Sequence, residues 1–299
     1  MKTEKPLAGW IGAGVMGEPL CGHLLDAGYT LFINTRTAAR ASSLVDKGAR
    51  WCATPAEVAA QADIIFTMVG VPDEVQQVYF GAAGIFSALR NNAVLVDMGT
   101  TPPSLTQQIA ARAHQLGASA VDAPVSGGDV GARNATLSIM AGGDADVVER
   151  VRPLFDCMAR SVNYMGVAGN GQHTKMCNQL VVAGTMIGVC EALVYAAKSG
   201  LDCERLVNAI RPGAAGCWTL ENLAPRINQN DYAPGFMVDH FVKDLGIALA
   251  EAENLGLNLP GLMLALALYK KVQHLGHGQS GTQALIHALQ TDQPDYLSL

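Results

Sequence analysis

The period of apolar and polar positions changes along the chain. Up to about residue 166, apolar runs at 7–11, 30–33, 63–69, 93–97 and 119–122 alternate with stretches of helical spacing at 18–27, 55–62, 73–79 and 104–116. This strand-helix rhythm predicts a parallel, doubly wound α/β sheet. It continues through an apolar stretch at 136–140, a helix at 144–152 with a closing segment at 153–158, and a last strand at 162–166. A long helix is expected from about 172 to 198, stopped by Gly200. Between 180 and 197 only Thr185, Glu191 and Tyr195 carry polar groups, so this helix should be buried on most sides. Beyond it no strand alternation remains, and helices are expected at 203–210, 218–223, 241–255, 262–275 and 282–289. The chain should therefore form an α/β domain at 1–166 and an all-helical domain at 167–299, joined by the long helix.

Composition narrows the function classes. The chain has 299 residues, 49% hydrophobic and 15% charged, enough for two domains with separate cores. A net charge of -6 speaks against a nucleic-acid binder, which concentrates positive charge on one face. The seven cysteines show no metal spacing and fit a reducing cytoplasm. Residues 1–5 offer no export signal, and the apolar runs 180–190 and 259–269 are shorter than the roughly 20 residues of a membrane span. A cytoplasmic protein with no membrane association and no metal is expected.

The chemistry begins at the end of the first apolar run. There the chain reads Gly12-Ala13-Gly14-Val15-Met16-Gly17 and passes into a helix, the GxGxxG spacing of a Rossmann dinucleotide turn. The first glycine permits the tight turn, the second lets backbone approach a pyrophosphate, and the third lets helix and strand pack closely. The end of the second strand, Asn34-Thr35-Arg36-Thr37, lacks the carboxylate that NAD-preferring proteins place on the ribose 2′-hydroxyl. Arg36 instead suits a 2′-phosphate, with Thr35 and Thr37 beside it, so NADP(H) is expected ahead of NAD(H). Loops 68–72 and 99–103 close strand ends where ligands of such sheets bind. Ala123-Pro124-Val125-Ser126-Gly127-Gly128 would expose consecutive N–H groups and a hydroxyl, a site for a carboxylate.

Lys175, Asn178 and Gln179 share one face in the first turns of the long helix. A lysine near a helix N-terminus sits at the unfavourable end of the dipole, which points to a functional role as a general acid/base. Gly184 and Gly188 share a face that would admit close contact with a core helix or a second subunit. Segments 213–218 and 236–245 are candidate pocket walls, with Trp218 and Phe236 read as core side chains. His173 and His240 are read as structural.

Taken in order, Gly12 to Gly17, Asp122 to Gly128, Gly171 to Gln179 and Lys243-Asp244-Leu245-Gly246-Ile247-Ala248-Leu249 resemble the β-hydroxyacid dehydrogenases, the family of 3-hydroxyisobutyrate dehydrogenase and of tartronate, glyoxylate and succinic semialdehyde reductases. The resemblance implies Lys175 as the catalytic lysine and Asn178 as the amide that orients substrate. It implies Ser126, Gly127 and Gly128 at the substrate carboxylate, and Met68, Val69, Thr100 and Lys243 at the cofactor beside Gly12, Gly14, Val15, Met16 and Gly17. It further implies a homodimer or homotetramer packed through the helical domain. The chain departs from the common pattern at Met68-Val69-Gly70, whose proline is delayed to Pro72, and at Gly99. The expected activity is NADP(H)-preferring interconversion of a short β-hydroxy acid and its semialdehyde. The alternatives are an imine reductase on the same architecture and a non-catalytic NADP-binding module.

Overall fold

The computed structural model describes residues 5–290; residues 1–4 and 291–299, which the expected domain limits and the reading of the N-terminus include, lie outside it. The chain divides into two compact units, Met1–Lys175 and Met176–Leu299.

In the first unit the strands are β1 Ala8–Ile11, β2 Leu31–Asn34, β3 Arg50–Trp51, β4 Ile64–Thr67, β5 Val94–Asp97, β6 Ser119–Asp122, β7 Val125–Ser126, β8 Leu137–Gly142 and β9 Ala159–Gly166. Helices α1 Gly17–Asp26, α2 Ser42–Asp46, α3 Pro55–Ala59, α4 Pro72–Phe80, α5 Pro103–Gln115, α6 Gly128–Arg133 and α7 Ala145–Phe155 connect them. The order β3-β2-β1-β4-β5-β6 is parallel throughout, the doubly wound arrangement that the apolar rhythm predicts. Beyond β6 the sense reverses: β8 runs antiparallel to β6 and β7, and β9 pairs parallel to β8. The chain between β6 and β8 holds β7, which pairs antiparallel beside β8, and the short helix α6.

Successive strand residues point to opposite faces, so each buried strand feeds two cores. Trp10, Ile33, Ile64, Phe66 and Val96 join one core with Leu20 of α1 and Phe155 of α7. Ile11, Phe32, Ile65 and Leu95 join the other with Val58 of α3, Tyr79 of α4 and Ile109 of α5. Trp10 stacks on Phe66 with ring centroids 5.2 Å apart, which fixes the strand from which the glycine turn departs.

Helix α8, Asn170–Ser199, begins in the first unit and continues through the second. This division lies within the first turns of α8 because the start of that helix is hydrogen-bonded to the sheet unit. The second unit contains α9 Cys203–Ile210, α10 Trp218–Asn222, α11 Ala224–Asn228, α12 Val238–Asn254, α13 Pro260–His274 and α14 Leu285–Gln290. Its core gathers Ala183, Met186, Cys190 and Leu193 of α8 with Phe241, Leu245 and Tyr269.

Among the described residues α8 is long and apolar enough to cross a membrane by length and composition, with mean hydropathy 1.9, a test that core helices pass as well, and its Ala183, Met186, Cys190 and Leu193 lie in the core of the second unit. One expectation is corrected: the helix is less enclosed than its apolar sequence implies. Met186 and Leu193 are buried, but a stripe through Cys177, Val181, Gly184, Gly188, Glu191 and Tyr195 is exposed.

Candidate active site

Gly12 adopts φ +96°, and a Cβ there would collide with the Met68 carbonyl. Only glycine fits that turn, since L-residues rarely adopt such a φ and the neighbour is rigid backbone. Gly17 packs so closely that a Cβ would strike the Gly12 carbonyl, whereas no described atom lies within 4 Å of a Cβ placed on Gly14. The residues thus meet the steric demands of a pyrophosphate turn: closed at the first and third glycine, open at the second. Met16 stands at the N-cap of α1 without a side-chain cap, and Val15 is exposed.

After β2, Thr35 is buried; its hydroxyl donates to the Thr37 carbonyl at 2.7 Å and accepts from Trp51 Nε1 at 3.3 Å. This hydroxyl shapes the turn. Arg36 stands out into solvent and pairs with Glu74 of α4. Thr37 is exposed as well.

Loop 99–103 is held by buried polar groups that the reading of the sequence missed. Asp97, at the end of β5, accepts from Thr101 Oγ1 at 2.6 Å, from the Gly99 amide at 3.1 Å and from Thr67 Oγ1 at 3.1 Å. Gln172, buried in α8, donates from Nε2 to the Gly99 carbonyl at 2.9 Å and accepts from the Thr101 amide at 3.1 Å. Thr100 therefore sits in a loop clamped on both sides. A signal was available: a carboxylate closing a buried strand is costly unless it is bonded, and both β5 and β6 end in aspartate.

Burial pushes the Asp97 carboxyl up from the usual carboxylate range to about 6, against the hydrogen bonds from Thr101, Gly99 and Thr67, with Asp122 adding like charge. The folded chain then holds this proton more tightly than the unfolded one. The stabilisation it contributes is complete below about pH 4 and is lost as the pH rises through about 6. Asp97→Asn removes that titration. Between pH 4 and 7 the melting midpoint of the native chain should fall relative to the variant, and parallel curves would refute the assignment.

Asp122, at the end of β6, accepts from the Gly169 and Gln172 amides, both at 2.8 Å, at the N-terminus of α8. Burial raises its pKa while these amide bonds pull it back. A Cβ on Gly171 would meet the Met140 and Asp122 carbonyl oxygens, so the helix can approach the sheet this closely only with glycine there.

That anchored turn carries Lys175. The side chain is buried, 8% exposed, and its Nζ donates to the Val125 carbonyl at 2.9 Å. Val125 directly precedes Ser126, Gly127 and Gly128, the last two with φ +133° and +63° at the entry to α6. The structure therefore brings Lys175 to the expected anion segment within the first unit.

In the second unit, Asn178 Nδ2 donates to Gln179 Oε1 at 2.8 Å, and Gln179 Nε2 donates to buried Asp244 Oδ2 at 2.6 Å. Lys243 Nζ lies 2.7 Å from Asp244 Oδ1. An ion pair and two amides thus run in one chain from Lys243 to Asn178. Phe236 packs edge-on against Phe241, but Trp218 is 65% exposed and not the core residue expected. Cys217 caps α10, its Sγ accepting from the Leu220 amide at 3.4 Å, and Trp218 is the first residue of that helix. His173 is half-buried and His240 exposed.

Residues 8–166 match the family model described as the NAD binding domain of 6-phosphogluconate dehydrogenase, and residues 169–289 that described as the NAD-binding of NADP-dependent 3-hydroxyisobutyrate dehydrogenase. The chain is 49% identical to the probable 3-hydroxyisobutyrate dehydrogenase-like 1, mitochondrial, of Arabidopsis thaliana, across 94% of this chain and 84% of that one. It is 38% identical to the 2-hydroxy-3-oxopropionate reductase of Escherichia coli, across 94% and 96%. Among solved structures, the Mycobacterium tuberculosis 3-hydroxyisobutyrate dehydrogenase with L-serine superposes at a TM-score of 0.89 with 31% identity, across 96% of this chain and all of that one.

Proposed function

Since the chain belongs to the 3-hydroxyisobutyrate dehydrogenase family of NAD(P)-dependent hydroxyacid dehydrogenases, we propose that it interconverts a short β-hydroxy acid and its semialdehyde with NADP(H) as the preferred cofactor. The observation that carries the reading is the bond from Lys175 Nζ to the carbonyl immediately before Ser126-Gly127-Gly128. It supports a proton carrier held beside a carboxylate site, a separation suited to a substrate only a few carbons long. A nicotinamide held there would supply or accept the hydride. Lys175 gives the hydroxyl proton in reduction and takes it in oxidation. Ser126 and the backbone amides of Gly127 and Gly128 hold the substrate carboxylate, and Asn178 orients the reacting hydroxyl. Gly12, Gly14, Val15, Met16 and Gly17 hold the pyrophosphate, Arg36 and Thr37 the 2′-phosphate on the turn that buried Thr35 shapes rather than contacts, and Met68, Val69, Thr100 and Lys243 the rest of the cofactor. Fixing donor and acceptor in this way is chiefly a gain in proximity and orientation.

The test is consumption of NADPH, and separately of NADH, with glyoxylate and with succinic, methylmalonic and tartronic semialdehydes beside a cyclic imine. Turnover of at least one of the carboxylate-bearing aldehydes, faster with NADPH, is expected. Reduction of the imine alone, or of nothing, would overturn the reading.

The same proposal includes a cytoplasmic setting and a homodimer or homotetramer. Val181 and Tyr195 on the uncovered stripe of α8 are 67% and 73% exposed, with Gly184 and Gly188 between them leaving room for another backbone. A largely apolar stripe with a small-residue centre, broken by Glu191, suits a second copy of itself. Light scattering should give at least twice the mass of one chain; a monomer at micromolar concentration would remove this part of the proposal.

A further inference from the structure

No carboxylate follows β2, yet one reaches that position from another element. Glu74, in the first turn of α4, spans two loops with its two oxygens. Oε2 accepts from the Gly70 amide at 3.2 Å, in the loop after β4, and Oε1 pairs with Arg36, in the loop after β2. Since β2 and β4 flank β1, both loops stand beside the glycine turn at the carboxyl ends of the strands. Arg36 stays mostly in solvent and Glu74 partly so, with side-chain exposures of 70% and 32%.

We propose that Glu74 is a specificity-determining residue for the adenosine ribose, acting through Arg36. Its carboxylate occupies the guanidinium that a 2′-phosphate needs, so a phosphorylated ribose must displace an ion pair before it binds. A ribose with free hydroxyls meets no such obstacle. The pair thus lowers discrimination between the two dinucleotides, an effect that neither Arg36 nor the empty acidic position after β2 would produce alone. The inference rests on the reading of Arg36 as the 2′-phosphate partner.

The experiment is titration of NADP+ and NAD+ into Glu74→Gln, Arg36→Ala and the double variant. Glutamine keeps an acceptor for the Gly70 amide and removes only the charge, so folding should be undisturbed. Glu74→Gln should raise the affinity ratio of NADP+ over NAD+ about fivefold at low salt, with a smaller rise at high salt, as befits a solvent-exposed charge pair. In the Arg36→Ala background the same change should have little effect. An unmoved ratio in Glu74→Gln would overturn the inference. An equal rise with and without Arg36 would overturn it as well, since Glu74 would then act by direct repulsion. If Arg36→Ala leaves the NADP+ affinity of the native chain unchanged, the parent reading of Arg36 fails, a result distinct from failure at Glu74.

Discussion

Lys175→Ala should lose at least about 10²-fold in turnover while binding the nicotinamide dinucleotide almost as the native chain does. The contrast follows from where the side chain sits. Lys175 is buried on the first turns of α8 and bonded to the Val125 carbonyl, beside the Ser126 segment and away from the Gly12 turn in sequence and in fold. Its removal takes out the proton carrier and leaves the glycine turn and Arg36 in place. Lys175→Arg should be impaired nearly as much, because a guanidinium keeps the charge but does not release a proton near neutral pH. Steady-state rates combined with a fluorescence titration of NADPH separate the two effects. Turnover retained in either variant would exclude Lys175 as the acid/base, and a parallel collapse of cofactor affinity would mean a structural role.

Asp122→Ala should destabilise the chain by about 3 kcal/mol, through loss of a helix N-cap and exposure of buried amides to no acceptor. Two backbone N–H groups, of Gly169 and Gln172, end on this carboxylate, and the helix start it anchors is pressed so tightly against the sheet that Gly171 has no room for a Cβ. For a unit of this size the loss corresponds to roughly 10 °C in melting midpoint. Asp122→Asn should recover little of it, since its amide group would direct a donor at an N–H. The variant should also lose turnover beyond what unfolding explains, because the turn that slackens carries Lys175. A melting midpoint within about 2 °C of the native chain would show that the amides find other acceptors.

Much of this arrangement was legible in the amino-acid order because it rests on local rules. The parallel strands announce themselves as apolar runs, and Gly12 to Gly17 announces a turn because no other residue satisfies its geometry. The long helix and Lys175 near its start were equally plain. What escaped were contacts made across distance. The sense of β8 depends on a connection, and its residues look like those of any buried strand. Gln172 and Asp122 hold groups 47 to 73 positions away in sequence, which no periodicity records. Residue type places Trp218 in the core, whereas it stands exposed at the first position of α10. Glu74 looked like an ordinary acidic residue in the first turn of a helix until the fold set it against Arg36.

The reversal of strand sense beyond β6 also bears on how the chain avoids its own copies. Among the described residues β9 pairs with β8 and so borders the sheet, presenting an eight-residue row of backbone donors and acceptors on which another strand could template. Arg160, Ser161 and Asn163 stand exposed along it, as do Tyr164 and Met165, and the ladder with β8 slips register between Leu137 and Ser138 and again between Ala141 and Gly142. One charge, two polar side chains and two irregularities interrupt the edge that Tyr164 and Met165 would otherwise offer, which disfavours straight strand-to-strand extension into filaments.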